Sequence, residues 1–135
     1  MKDTSEKKDK ILVIDDDPCM VKLLGTRLSA HGFDVISAED ASVGLEMAVK
    51  QSPNLIILDV MMPLINGYNI CRLLKEEEKL TTPIVMVTGR TTEEDKKIGQ
   101  EVGVDAYLTK PLNTEQLFST INGLLKKEKD HSYLD

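Results

Sequence analysis

The chain has 135 residues and a formal net charge of −6, enough for one domain around one core. The acidic balance excludes the basic footprint that direct nucleic-acid binding needs, and no apolar run reaches the length of a membrane span. The first residues carry charges with no apolar stretch behind them, so a secretory leader is not expected.

Residues 1–9 are charged and aperiodic and read as a frayed arm. The first apolar-rich run, Lys10 to Ile14, has the Val/Ile content of a strand and ends in three consecutive acids, Asp15, Asp16 and Asp17. Asp17 followed by Pro18 predicts a helix cap with proline at the first helical position. Met20, Leu23, Leu24 and Leu28 form the apolar stripe of that helix, and Gly32 can end it. A second strand is predicted over 33–37. Asp40 then caps a helix whose stripe is Ala41, Leu45, Ala48 and Val49.

A third strand, 54–58, leads into Asp59, and a third helix carries Ile70, Leu73 and Leu74. The mixed charges from Lys75 to Lys79 read as a solvated helix face. The fourth strand, 83–87, is followed by Thr88 and Gly89. Thr91 and Glu94 have capping-box spacing at the head of a weak helix, Glu93 to Val102, with Ile98 and Val102 as its apolar anchors. Gly99 inside it costs about 1 kcal/mol relative to alanine. After Gly103 comes a fifth strand, 104–108, then Lys110-Pro111. Asn113 and Gln116 open the last helix, striped by Leu117, Ile121, Leu124 and Leu125. Residues 127–135 read as a tail, so the ordered domain is expected over 10–126.

Three of the runs are apolar on nearly every residue, as in a parallel sheet buried on both faces. Five strands alternating with five helices imply an α/β sandwich with right-handed crossovers. Cys19 and Cys71 lack metal-ligand spacing and read as core-facing thiols in a reducing compartment, which makes a cytoplasmic location the expectation. His31 at a helix end and His131 in the tail fit neither a phosphohistidine nor a metal ligand. Met61, Met62 and Met86 read as packing residues.

Ligands of an open parallel sheet bind beyond the carboxyl ends of its strands, and four of the five predicted strands end in groups that carry chemistry. These are Asp15 and Asp16, then Asp59, then Thr88, then Lys110. Crowded carboxylates favour a hard divalent cation such as Mg²⁺. A carboxylate can act as nucleophile toward phosphorus, while a lysine and a hydroxyl hold phosphoryl oxygens. Alone, Thr88 is a strand-end residue, Lys110 a surface lysine and Tyr107 a half-buried edge aromatic. Their joint position makes phosphoryl transfer the sharper reading.

The set Ile14-Asp15-Asp16, Leu58-Asp59-Val60-Met61-Met62-Pro63, Val87-Thr88-Gly89 and Tyr107-Leu108-Thr109-Lys110-Pro111 resembles the receiver domain of two-component response regulators. The resemblance implies a flavodoxin-like (βα)5 sandwich with strand order 2-1-3-4-5. It matches Asp59 to the phosphoacceptor and Asp16 to a direct Mg²⁺ ligand. Asp15 matches an acid acting through metal-bound water, and Met61 the position whose carbonyl completes the metal site. Thr88 and Lys110 match the groups that engage the phosphoryl oxygens, Lys110-Pro111 a bond often cis, and Tyr107 an aromatic switch residue. Asp17 has no counterpart, in keeping with a cap.

The implied partners are a sensor histidine kinase or a histidine phosphotransfer protein as donor, and an effector protein that reads the helix 4–strand 5–helix 5 face. Direct nucleic-acid contact and membrane insertion are not expected. The implied activity is self-catalysed phosphotransfer with slow autodephosphorylation, since neither Met61 nor Arg90 offers an acid or amide to orient water. A stand-alone receiver is the primary expectation. A receiver excised from a longer regulator is the alternative. A haloacid-dehalogenase-like phosphohydrolase fits less well, because Met61 stands where that family needs a second aspartate. A receiver acting as an unphosphorylated scaffold is disfavoured by the complete acid, threonine and lysine set.

Overall fold

The computed structural model describes residues 8–60, 67–89 and 93–134, with side chains to residue 127. The chain alternates β1 (Lys10–Ile14), α1 (Pro18–Ala30), β2 (Asp34–Ala38), α2 (Ala41–Lys50), β3 (Leu55–Asp59), α3 (Gly67–Arg72), β4 (Ile84–Thr88), α4 (Glu93–Glu101), β5 (Ala106–Thr109) and α5 (Thr114–Leu134). The five strands form one parallel sheet in the order β2-β1-β3-β4-β5, as the resemblance implied.

Strand periodicity divides the core. Leu12, Ile14, Ile56, Leu58, Ile84 and Met86 point to the side covered by α2, α3 and α4. Ile11, Val13, Leu55, Ile57, Val85 and Val87 point to the side covered by α1 and α5. Alternate residues of one strand face opposite sides, so central strands buried on both must be apolar throughout.

Local chemistry sets the helix ends. Asp17 Oδ1 accepts the Cys19 N–H (3.0 Å), and Asp40 Oδ1 accepts those of Ser42 and Val43 (2.7 and 3.2 Å). Asn113 Oδ1 accepts the Gln116 N–H at 2.9 Å. Gly32 and Gly103 follow α1 and α4 at φ +89° and +87°, a backbone state that side chains with a Cβ resist. The Thr91–Glu94 capping box, Met62 and Arg90 involve positions outside the described residues.

The stripe residues Leu23, Val49 and Leu73 are exposed rather than core-facing, and four further expectations change. Cys19 is exposed, because the second residue of α1 points away from the sheet; Cys71 alone is buried, its thiol pushed up to about 11, chiefly by burial. Lys75 is not a solvated charge: its ammonium donates to the Thr82 carbonyl (3.0 Å) and pairs with Asp105 (3.1 Å). The third helix continues past α3 as a π-helical turn, Leu73–Glu77, closed by Glu78 N–H to Leu73 O at 2.9 Å. The last helix runs to Leu134, through a lysine- and glutamate-bearing segment with good helix propensity.

Candidate functional site

The parallel register brings the strand ends together. Ile14 pairs with Leu58 and Asp59 with Val87, so Asp15 and Thr88 each stand one residue past the partner of a β3 residue. Thr88 pairs with Thr109, and the Lys110 N–H donates to the Thr88 carbonyl at 2.8 Å. Asp15, Asp59, Thr88 and Lys110 are therefore delivered to one edge by the backbone ladder, from four adjacent strands.

That edge holds charge out of water. Asp15 is 3 % exposed, Asp59 4 % and Thr88 0 %. Buried carboxylates are retained only with partners. Lys110 Nζ lies 3.7 Å from Asp15 Oδ2 and 3.8 Å from Asp59 Oδ1. These are ion pairs rather than tight hydrogen bonds, so the ammonium is shared between the two acids. Asp15 Oδ1 also accepts the Asp17 N–H at 2.9 Å, which ties this acid to the first turn of α1. The aspartate row thus divides its labour: Asp17 starts the helix, Asp15 leans on the backbone of Asp17, and half-buried Asp16 faces the edge.

Asp15, Asp16 and Asp59 each offer one carboxylate oxygen, and these oxygens lie within 4.8 Å of one another. An all-oxygen anionic donor set suits a hard divalent cation of the Mg²⁺ kind. Among the described residues, three carboxylates stand against one lysine, a balance that such an ion would shift toward neutrality. Met61, the fourth expected ligand, lies outside the described residues.

Backbone packing fixes Asp59 from behind. The Gly67 N–H donates to the Val60 carbonyl at 2.9 Å. A Cβ on Gly67 would collide with the Asp59 carbonyl oxygen and approach Val60 Cα to 2.9 Å. The start of α3 can therefore lie against the end of β3 only because residue 67 is glycine. The Lys110-Pro111 bond is cis.

Tyr107 is half-buried against the α2–α4 side of the core. Its hydroxyl lies 3.2 Å from that of Tyr68, which donates to the Asp95 carbonyl at 3.0 Å. The sequence reading missed Tyr68, Gly67 and Asp95. A tyrosine beside a glycine at a helix start was the available signal, since a buried phenol needs a hydrogen-bond partner. His31 is occupied elsewhere, with Nδ1 3.0 Å from the Arg27 carbonyl and its ring stacked on Phe118.

The response regulator receiver domain pattern matches residues 11–122. Over 121 residues the chain is 40% identical to the probable transcriptional regulator ycf27 of Porphyridium aerugineum, covering 90% of this chain and 50% of that protein. It is 39% identical to the alkaline phosphatase synthesis transcriptional regulatory protein PhoP of Bacillus subtilis, covering 89% and 50%. The chain spans about half the length of these curated relatives. Among solved structures, the Vibrio cholerae chemotaxis protein CheY4 superposes with a TM-score of 0.82 at 31% identity, covering 87% of this chain and 99% of that one. A CheY-like receiver domain protein from Methanospirillum hungatei superposes at 0.87 and 26%, covering 93% and 99%.

Proposed function

Because this chain belongs to the family of response regulator receiver domains, we propose that it is a phosphorylation-controlled switch with Asp59 as phosphoacceptor. The observation that carries this reading is the buried Asp59 carboxylate, paired with Lys110 and grouped with Asp15 and Asp16 at one strand edge.

In the proposed reaction a carboxylate oxygen of Asp59 attacks the phosphorus of a phosphohistidine on a partner kinase or phosphotransfer protein. The new P–O bond forms as the P–N bond breaks, and the electron pair stays on the donor imidazole. Lys110, already between Asp15 and Asp59, meets a phosphoryl oxygen as the Asp59 charge is spent in the acyl phosphate. The Thr88 hydroxyl donates to another oxygen. Asp15, Asp16 and Asp59, with the Met61 carbonyl, would hold Mg²⁺, which when bound neutralises charge on the phosphoryl oxygens.

The phosphoryl group adds charge and acceptor oxygens at the sheet edge. It shifts an existing equilibrium by its differential affinity for two states. Thr88 moves toward the phosphoryl group, Tyr107 fills the space behind it, and the α4–β5–α5 face changes its affinity for an effector protein. The proposed location is the cytoplasm; among the described residues no helix is long and apolar enough to cross a membrane. A second reading makes the chain the receiver half of a transcriptional regulator, favoured by its span of half of the relatives named above. In both, the receiver chemistry is the same and phosphate is lost slowly.

Incubation with acetyl phosphate and Mg²⁺, read by intact mass, tests the reading. One hydroxylamine-labile phosphoryl group per chain is expected, absent in Asp59→Asn and without Mg²⁺. Undiminished labelling of Asp59→Asn, or no labelling of the wild type by acetyl phosphate or a phosphohistidine donor, overturns it.

A further inference from the structure

Two tyrosine hydroxyls stand in series beneath α4. The Tyr68 hydroxyl has one proton, and it goes to the Asp95 carbonyl oxygen. At the 3.2 Å contact between the hydroxyls Tyr68 must therefore accept and Tyr107 donate. The hydrogen bonds run in one direction, from β5 through α3 into the first turn of α4.

The next turn of α4 receives the Tyr107 ring. A Cβ on Gly99 would lie 3.1 Å from Tyr107 Cδ2 and 3.3 Å from Cε2. Asp95 and Gly99 are four residues apart, so the carbonyl that anchors Tyr68 and the bare Cα that seats Tyr107 stack one turn apart on one face of α4. Tyr68 follows Gly67, whose N–H is bound to the Val60 carbonyl and whose Cα lies against the Asp59 backbone. A short path of backbone and two phenols thus connects Asp59 to α4.

We propose that Tyr68 is the positioning residue for Tyr107, holding it packed against α4 and joining that position to the backbone behind Asp59. The functional meaning rests on the switch reading above. Tyr68 then pre-loads the packed tyrosine before any phosphoryl group arrives. On that reading the packed Tyr107 marks the phosphorylation-competent state, and Tyr68 enlarges its population.

Tyr68→Phe removes the hydroxyl and keeps the ring that fills this 7 % exposed position. In the unphosphorylated full chain, the Tyr107 ring resonances should move toward those of a solvated tyrosine. Exchange of the Gly99 amide should quicken about fivefold, the worth of one neutral hydrogen bond, while β1 and β3 amides stay unchanged. The rate of Asp59 labelling by acetyl phosphate should fall by a similar factor. Unmoved Tyr107 resonances, or equal labelling rates in variant and wild type, overturn the proposal.

If neither protein is labelled, the switch reading fails, and the ring and exchange measurements, which need no donor, decide the positioning role alone. Should Tyr68→Phe not fold, Tyr107→Phe breaks the same bond from its other end. For that variant the Gly99 amide should again exchange about fivefold faster, and unchanged Gly99 exchange overturns the proposal.

Discussion

The two sides of the sheet are built differently. On one side α1 and α5 bury Leu24, Leu28, Leu117, Phe118, Ile121 and Leu125 against the strands, and Arg27 of α1 donates to Thr114 Oγ1 of α5 at 2.7 Å. On the other, α4 buries only Asp95 and Gly99 within its span, with Ile98 partly covered and Val102 just beyond. One side is fastened by interdigitated apolar side chains, whose removal leaves cavities. The other is fastened at α4 by a carbonyl, a phenol pair and a glycine. Such contacts are worth about 1 kcal/mol each, so α4 can exchange partners while the apolar core under α2 and α3 stays packed.

The comparison can be broken most directly by deleting equal side chains on the two sides. Ile121→Ala is expected to cost about 2–5 kcal/mol of unfolding free energy, and Ile98→Ala about 1 kcal/mol, because Ile98 is only partly covered. Urea denaturation of both variants checks this; equal losses would make the two sides alike. A smaller effect sharpens it. Gly99→Ala gains helix propensity of up to about 1 kcal/mol but presses a methyl on Tyr107. Little net stability change is expected, with the Tyr107 ring displaced in its NMR spectrum. A full gain with an unmoved ring would show that the glycine seats nothing.

The smallest expected effect concerns α2, on the same side as α4. Hydrogen bonds from the Val43 and Ser42 backbone N–H groups hold the Asp40 carboxyl below its ordinary value of 3.8. A depressed carboxyl stabilises the fold at pH values above its unfolded pKa, and that contribution is lost as pH falls through the folded value. Amide protection at Val43 and Gly44 should therefore drop below about pH 4. In Asp40→Ser, where the cap does not titrate, this step should vanish. A step of unchanged size in Asp40→Ser would assign the loss to other groups.

What was legible in the sequence was what short range dictates. The Val/Ile runs marked the strands, and Asp17, Asp40 and Asn113 marked helix starts, because capping is a contact between near neighbours. The strand-end residues were legible through a topological rule, and the structure brings Asp15, Asp16, Asp59 and Lys110 together. Long-range partners were not legible. Lys75 looks like any helix-surface lysine until Asp105 and the Thr82 carbonyl are placed beside it. Gly99 reads as a flaw in α4 until the Tyr107 ring lies on it. Cys19 has the hydrophobicity of a core residue but a helix phase that turns it outward.

The shared ion pair at the strand edge has a consequence for the order of synthesis. A chain made as far as β4 already contains Asp15, Asp16 and Asp59, but the ammonium that stands beside two of them belongs to residue 110. Until β5 emerges, those acids meet without that counter-charge, and their repulsion opposes closing β1 against β3. Parallel strands already close late, because their contacts span long stretches of chain. Lys110 thus ties the electrostatic completion of the nascent domain to the arrival of its last strand.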